Sequence, residues 1–258
     1  MAFDKSEIKE CAAWSLAAYS DDGWSGVKHA TAISDPVTDC QCYVITDPAM
    51  SKAFVVFRGT SSITDVLADC NVRLKALRGI VTGVHGGRVH AGFLRQVQAV
   101  MPRITEALKD WKGEVQCTGH SMGAAASAIA AFLLAKEREG DPMRPVSHIG
   151  FGSPRVGDTN WRLLIGSLVT RSLRVKNGRD PVCAVPEGGG YVHAGEEAHI
   201  GRLDPHPELP LMTNIADHDM TTGYQANLDH DDPTAKPESF ATYILMFLAN
   251  HLARAAKR

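Results

Sequence analysis

Hydrophobic positions along the chain fall into two spacings. Ile8, Cys11, Ala12, Leu16 and Tyr19 line one side of a helix predicted over residues 5–19. Cys42–Ile45 and Ala53–Phe57 are short continuous apolar runs on either side of Pro48, which predicts two strands joined by a turn. Helical spacing returns at Ile63, Val66, Leu67, Cys70, Leu74 and Leu77, the pattern of an amphipathic helix. A stretch containing Gly79, Gly83, Gly86 and Gly87 then reads as a loop, and residues 93–111 as another helix. Further strands are predicted at 115–118, 146–151 and 173–176, and further helices at 122–139, 158–168 and 238–254. Strands that alternate with helices specify an α/β fold, with a mostly parallel sheet covered by helices on both faces. Nothing in the chain repeats and no linker divides it, so one domain is expected over residues 1–258.

Composition narrows the function classes mainly by exclusion. With 27 basic against 29 acidic residues and no basic run, nucleic acid is not an electrostatically favoured partner. The longest apolar stretch, Ala124 to Ala135, stops at Lys136, well short of the roughly 18–20 residues that span a bilayer. The polar opening Met1-Ala2-Phe3-Asp4-Lys5-Ser6-Glu7 has neither the basic nor the apolar region of an export leader, so a cytoplasmic location is expected. Six cysteines, Cys11, Cys40, Cys42, Cys70, Cys117 and Cys183, are expected to be reduced and mostly buried, acting as small hydrophobes.

The chemistry begins at Gly119-His120-Ser121-Met122-Gly123, between a predicted strand and a predicted Ala-rich helix. A serine in a tight strand-to-helix turn is presented as a nucleophile, and small neighbours let the backbone pass close to it. The helix that follows aims its free N–H groups and the positive end of its dipole at a developing oxyanion. Such a serine needs a base, and the base needs an orienting carboxylate, in the chain order Ser, acid, His. Asp180, in Asn177-Gly178-Arg179-Asp180-Pro181, follows a predicted strand directly, where catalytic groups gather in open α/β sheets; Asp158 and Asp204 do not. Six histidines come after it: His193, His199, His206, His218, His230 and His251. Spacing alone leaves His193 and His218 both open as the base. His193, Glu196, Glu197 and His199 lack a recognised ligand spacing, so no metal is expected there, and a serine, a base and a carboxylate imply no cofactor.

The order of motifs resembles the class 3, or fungal-type, triacylglycerol lipases of the α/β-hydrolase superfamily. Carrying that resemblance are Val55-Val56-Phe57-Arg58-Gly59-Thr60, Val89-His90-Ala91-Gly92-Phe93, Thr118 to Gly123, Phe151-Gly152-Ser153-Pro154-Arg155-Val156-Gly157-Asp158 and Asn177 to Val182. It implies an α/β-hydrolase fold, with Ser121 as nucleophile, Asp180 as the triad carboxylate and His218 as the base. His218 matches an Asp-His-x-x-Tyr-like segment in which Tyr224 comes later than the pattern has it. The same resemblance makes Thr60 and the Met122 N–H the oxyanion hole, and places a lid near residues 61–88. There Ile63, Val66, Leu67 and Leu74 either cover the site and turn outward at a lipid surface or pack on the core. Asp65, Asp69, Arg73 and Lys75 make the segment less apolar, which suits an esterase without interfacial activation. The implied partner is a lipid ester, at a lipid–water interface, and the implied location by family habit is secretion. The rival readings are a phospholipase or feruloyl-type esterase on the same triad, and a lipase-like binding protein without turnover. A surface-binding role for the C-terminal helix, which ends in Arg254, Lys257 and Arg258, is a further alternative.

Overall fold

The apolar runs become the centre of a seven-stranded sheet. This computed structural model describes residues 3–20, 24, 27–60, 74–77, 86–139, 141–201 and 215–230. The sheet comprises β1 (Ala30–Asp35), β2 (Cys40–Ile45), β3 (Lys52–Phe57), β6 (Glu114–His120), β7 (Val146–Phe151), β8 (Arg171–Asn177) and β9 (Glu196–Ile200), adjacent in that order. From β3 to β9 all neighbours run parallel, while β1–β2–β3 are antiparallel. Two short strands, β4 (Leu74–Ala76) and β5 (Arg88–His90), pair separately.

Alternation along the strands sorts the core into two layers. On β3, Val55 and Phe57 join a cluster with Phe93, Leu94 and Val97, all buried, whereas Phe54 and Val56 face Ile8 and Cys11. The first layer is covered by α2 (Ala91–Ala107), α3 (Met122–Glu137) and α4 (Thr159–Leu168); α1 (Lys5–Ala17) packs on the second. Every residue of β7 is buried, as expected of a strand with helices on both sides. Among the described residues no helix is long and apolar enough to cross a membrane. The five described cysteines, Cys11, Cys40, Cys42, Cys117 and Cys183, are free and buried.

Predicted and observed elements differ where packing, not periodicity, decides. Strands β1 and β9 were not predicted: each lies at a sheet edge and buries only Ile33, or Ala198 and Ile200. Leu74, expected in an amphipathic helix, lies instead in β4 opposite His90, because three ladder pairs with β5 satisfy its backbone. Helix α2 starts at Ala91 because the His90 side chain accepts the Phe93 N–H at 3.3 Å, and it ends at Ala107. Leu77 is described and buried in the first layer, whereas Ile63, Val66, Leu67 and most of the expected lid lie outside the described residues, as do Cys70, Asp204, His206 and the helix at 238–254 with His251.

Candidate active site

Ser121 occupies the sharp turn between β6 and α3 with φ 61° and ψ −128°. A left-handed φ on a non-glycine residue costs about 1–3 kcal/mol and persists only when the surroundings impose it. Here the Ser121 N–H donates to the Phe151 carbonyl of β7 at 2.9 Å, and the Ser121 carbonyl accepts the Ala124 N–H at 3.0 Å. Glycines flank it because backbone crosses at contact distance. A Cβ on Gly119 would lie 2.5 Å from the Gly123 oxygen, and one on Gly123 2.5 Å from the Phe57 oxygen. Any larger residue at either position forces α3 off the sheet.

His218 Nε2 is 2.9 Å from Ser121 Oγ, while His218 Nδ1 is 2.9 Å from both oxygens of Asp180. A carboxylate accepts, so Nδ1 carries the hydrogen, and Nε2 is left as the acceptor for the serine hydroxyl. All three side chains are buried: Ser121 is 0%, Asp180 2% and His218 7% exposed. Burial pushes the Asp180 carboxyl up, but hydrogen bonds from His218, from the Tyr224 hydroxyl at 2.6 Å and from the Val182 N–H at 2.8 Å outweigh it. The net direction is down, and Asp180 stays ionised beside the imidazole.

The late tyrosine has a structural explanation. Met220–Gln225 forms a π-helical turn, with the Tyr224 N–H bonded to the Asp219 carbonyl five residues back at 3.0 Å. That wider turn carries Tyr224 across the extra residues to Asp180. Its hydroxyl also accepts the Asn177 N–H at 3.2 Å. Asn177 Nδ2 donates to the Asp217 carbonyl at 2.9 Å, and the Arg179 N–H donates to the Asp217 side chain at 2.8 Å. The loop carrying His218 is thereby tied to the end of β8, which carries Asp180.

Thr60 and Met122 also meet: Thr60 Oγ1 donates to Met122 Sδ at 3.2 Å. Met122 opens α3 directly after Ser121, where the Met122 and Gly123 N–H groups have no carbonyl within the helix to donate to. A cavity of about 110 Å³ adjoins this pair, lined by Phe57, Arg58, Gly59, Thr60, Met122 and Ala126 among others.

The competing residues are engaged elsewhere. Asp158 caps α4 through the Trp161 N–H at 2.9 Å and pairs with Arg88 at 2.8 Å. His193 Nε2 faces the Cys183 carbonyl at 2.8 Å, and His199 Nε2 the Gly178 carbonyl at 3.1 Å. Among the described residues no group of three His, Cys, Asp or Glu side chains is arranged to hold a metal ion. One participant was not anticipated from sequence: Gly152, with φ +58°, where a Cβ would lie 2.8 Å from Asp180 Oδ2 and 3.1 Å from the His218 ring. Its place at the end of a central strand, just before Ser153-Pro154, is the signal that could have found it.

The family model described as lipase (class 3) matches residues 54–189, a little over half of the chain. The chain belongs to the class 3 lipase family. A lipase from Rhizomucor miehei is 28% identical over 218 residues, covering 81% of this chain and 59% of that relative. A solved structure of the Rhizomucor miehei lipase propeptide complex, a deletion mutant, superposes with a TM-score of 0.64 at 27% identity, covering 80% of this chain and 70% of that one. The chloroplastic phospholipase A(1) DAD1 of Arabidopsis thaliana is 31% identical over 149 residues, covering 51% of this chain and 33% of that relative. The chain thus spans about half the length of the curated relatives it matches, 59% of the Rhizomucor protein and 45% of two Rhizopus lipases. As in other class 3 lipases of known structure, the fold is that of an α/β-hydrolase.

Proposed function

We propose that this chain is a serine carboxyl-ester hydrolase acting on lipid esters. The observation that carries the proposal is the unbroken run from Asp180 through His218 to Ser121, each link 2.9 Å. In this reading Ser121 Oγ attacks the ester carbonyl as its proton passes to His218 Nε2. The new C–O bond leaves an oxyanion, which accepts hydrogen bonds from Thr60 Oγ1 and the Met122 N–H. Each such donor typically contributes about 3 kcal/mol to the transition state. Collapse expels the alcohol, which takes the proton from His218 and leaves Ser121 acylated. A water then gives its proton to His218 and attacks the acyl carbon, and collapse frees the acid and restores the serine hydroxyl. Asp180 holds the imidazole in the required tautomer and stabilises its charged form throughout. None of these steps draws on a cofactor or metal.

Support for a lipid substrate comes from family membership and from the named activities of the relatives. The phospholipase A(1) relative favours a phospholipid as the second reading on the same triad. Hydrolysis of p-nitrophenyl esters from acetate to palmitate tests the proposal, with Ser121→Ala and His218→Ala alongside wild type. We expect turnover by the wild type, its labelling by a fluorophosphonate, and losses of about a thousandfold or more in both variants. A preference for short chains would keep the mechanism and make the protein an esterase. A wild type that neither turns over nor labels would sink the proposal in favour of a binding protein.

A further inference from the structure

Tyr19 and His120 make and break no bonds in the reaction above, yet both touch its geometry. Tyr19 stands in the turn just past α1, and the Ser15–Thr118 hydroxyl pair at 3.1 Å pins that helix to β6 one turn earlier. The Tyr19 hydroxyl is 2.8 Å from His120 Nδ1, and His120 Nε2 is 2.8 Å from the main-chain oxygen of His218. The His120 ring is 4% exposed, and its centroid lies 4.5 Å from that of the His218 ring.

These contacts assign every hydrogen in the run. A main-chain oxygen only accepts, so His120 Nε2 must carry its hydrogen. Burial, and then the neighbouring His218, lower the His120 pKa to about 3, which keeps the ring neutral and Nδ1 bare. The Tyr19 hydroxyl must therefore donate to Nδ1. The same hydroxyl packs against the oxyanion loop. A Cβ on Gly59 would lie 2.2 Å from Tyr19 Oη and 2.5 Å from the His120 carbonyl oxygen, and Thr60 is the next residue.

We propose that Tyr19 is a positioning residue: through a neutral His120 it holds the main chain of His218, and through Gly59 it sets the oxyanion loop against the same point. Without the hydroxyl, His120 Nδ1 becomes a buried acceptor with no donor. The ring then keeps only its Nε2–H bond to the His218 carbonyl, one anchor in place of two. Held at one end, the ring turns about that bond, the His218 main chain moves with it, and the base moves away from Ser121. The catalytic part of this inference rests on the ester-hydrolase reading; the proton assignment does not.

The experiment combines Tyr19→Phe, His120→Gln and the double variant with ¹⁵N-histidine NMR and with ester turnover per fluorophosphonate-labelled site. In the wild type the His120 hydrogen is expected on Nε2, and in Tyr19→Phe it should stay there while the Nδ1 signal shifts with the loss of its donor. Turnover in Tyr19→Phe should fall about tenfold in kcat with KM changed less than about twofold, the mark of misplaced catalytic groups. Glutamine at 120 can donate its amide N–H to the His218 carbonyl without needing the Tyr19 hydroxyl. In that background Tyr19→Phe should cost less than about twofold, a coupling that independent effects would not show. The proposal is overturned by a wild-type hydrogen on Nδ1, by an unchanged kcat in Tyr19→Phe even with lowered thermal stability, or by an equal loss in both backgrounds. Failure of the wild type to hydrolyse any ester would instead refute the hydrolase reading, and the tautomer measurement would still decide the hydrogen-bond chain.

Discussion

Replacing Gly152 by alanine adds one methyl group beside the triad, and the structure sets the scale of the damage. The position has φ +58°, so any side chain there occupies the left-handed region at a cost of about 1–2 kcal/mol. The new Cβ would stand 2.8 Å from Asp180 Oδ2 and 3.1 Å from His218 Cε1 and Nδ1, where ordinary contact starts at 3.4 Å. The carboxylate has little room to retreat, because the Tyr224 hydroxyl at 2.6 Å and the Val182 N–H at 2.8 Å hold it. The Asp180–His218 pair must therefore shift by about half an ångström, and a 1 Å misplacement costs about a hundredfold in rate. We expect Gly152→Ala to lower kcat by about ten- to a hundredfold, with KM nearly unchanged and stability reduced by about 1–3 kcal/mol. Kinetics normalised to fluorophosphonate-labelled sites separate this effect from partial unfolding. Gly166→Ala is the control: it lies in α4 with nothing within 4 Å of an added Cβ, and should stabilise the helix by about 0.5–1 kcal/mol with kcat unchanged. Wild-type kcat in Gly152→Ala would show that close approach at this strand end does not position the triad.

Two more outcomes follow from the buried polar groups. Tyr224→Phe removes a hydrogen bond to an ionised carboxylate and leaves the buried Asn177 N–H without its acceptor, so stability to urea should drop by about 2–4 kcal/mol. Turnover per labelled site should fall less than about tenfold, because His218 and Val182 still hold Asp180; unchanged stability would contradict the assigned bonds. Two buried histidines and the half-buried His193 are held neutral, mainly by desolvation: the pKa of His120 is lowered to about 3, and those of His148 and His193 to about 4, from an ordinary 6.5. Below pH 6.5 the unfolded chain takes up protons that the folded chain refuses, so stability falls as the pH drops toward 4. The slope is up to about 1.4 kcal/mol per pH unit for each histidine. Urea midpoints at pH 7 and pH 5 check this, and equal midpoints would mean that the rings are protonated in the folded state.

Legibility in the sequence followed burial on two faces. Ala53–Phe57 is apolar throughout, and Val146–Phe151 is buried throughout with Ser147 and His148 included, because helices cover both sides of their strands, and both were readable as strands. Edge strands β1 and β9 carry Thr31, Ser34, Glu196 and Glu197, and only pairing with β2 and β8 makes them strands. Leu74 has helical spacing yet sits in a ladder with His90, because backbone pairing outweighed a side-chain pattern in so short a segment. At the site, Ser121 was legible from its own turn, since the flanking glycines and the strand-to-helix setting are local. Asp180 was legible from the strand before it. The histidine was not, because a base is chosen by where its ring lands and not by its neighbours in the chain.

What the sequence determined by itself is therefore local. Glycines at 119 and 123 permit the elbow, alternating core positions on β3 divide the two layers, and a helix start behind Ser121 supplies free N–H groups. Tertiary structure decided which distant residues complete that elbow. His218 is 97 positions from Ser121 and 38 from Asp180, and the two contacts exist because the segment carrying Asp217 and His218 is bonded to Asn177 and Arg179 at the end of β8. The π-helical turn that brings Tyr224 to Asp180 and the Tyr19–His120 contact across 101 positions arise in the same way. Short-range pattern reports propensity and burial, whereas a buried hydrogen bond between remote side chains depends on the whole sheet's register, which no single segment encodes.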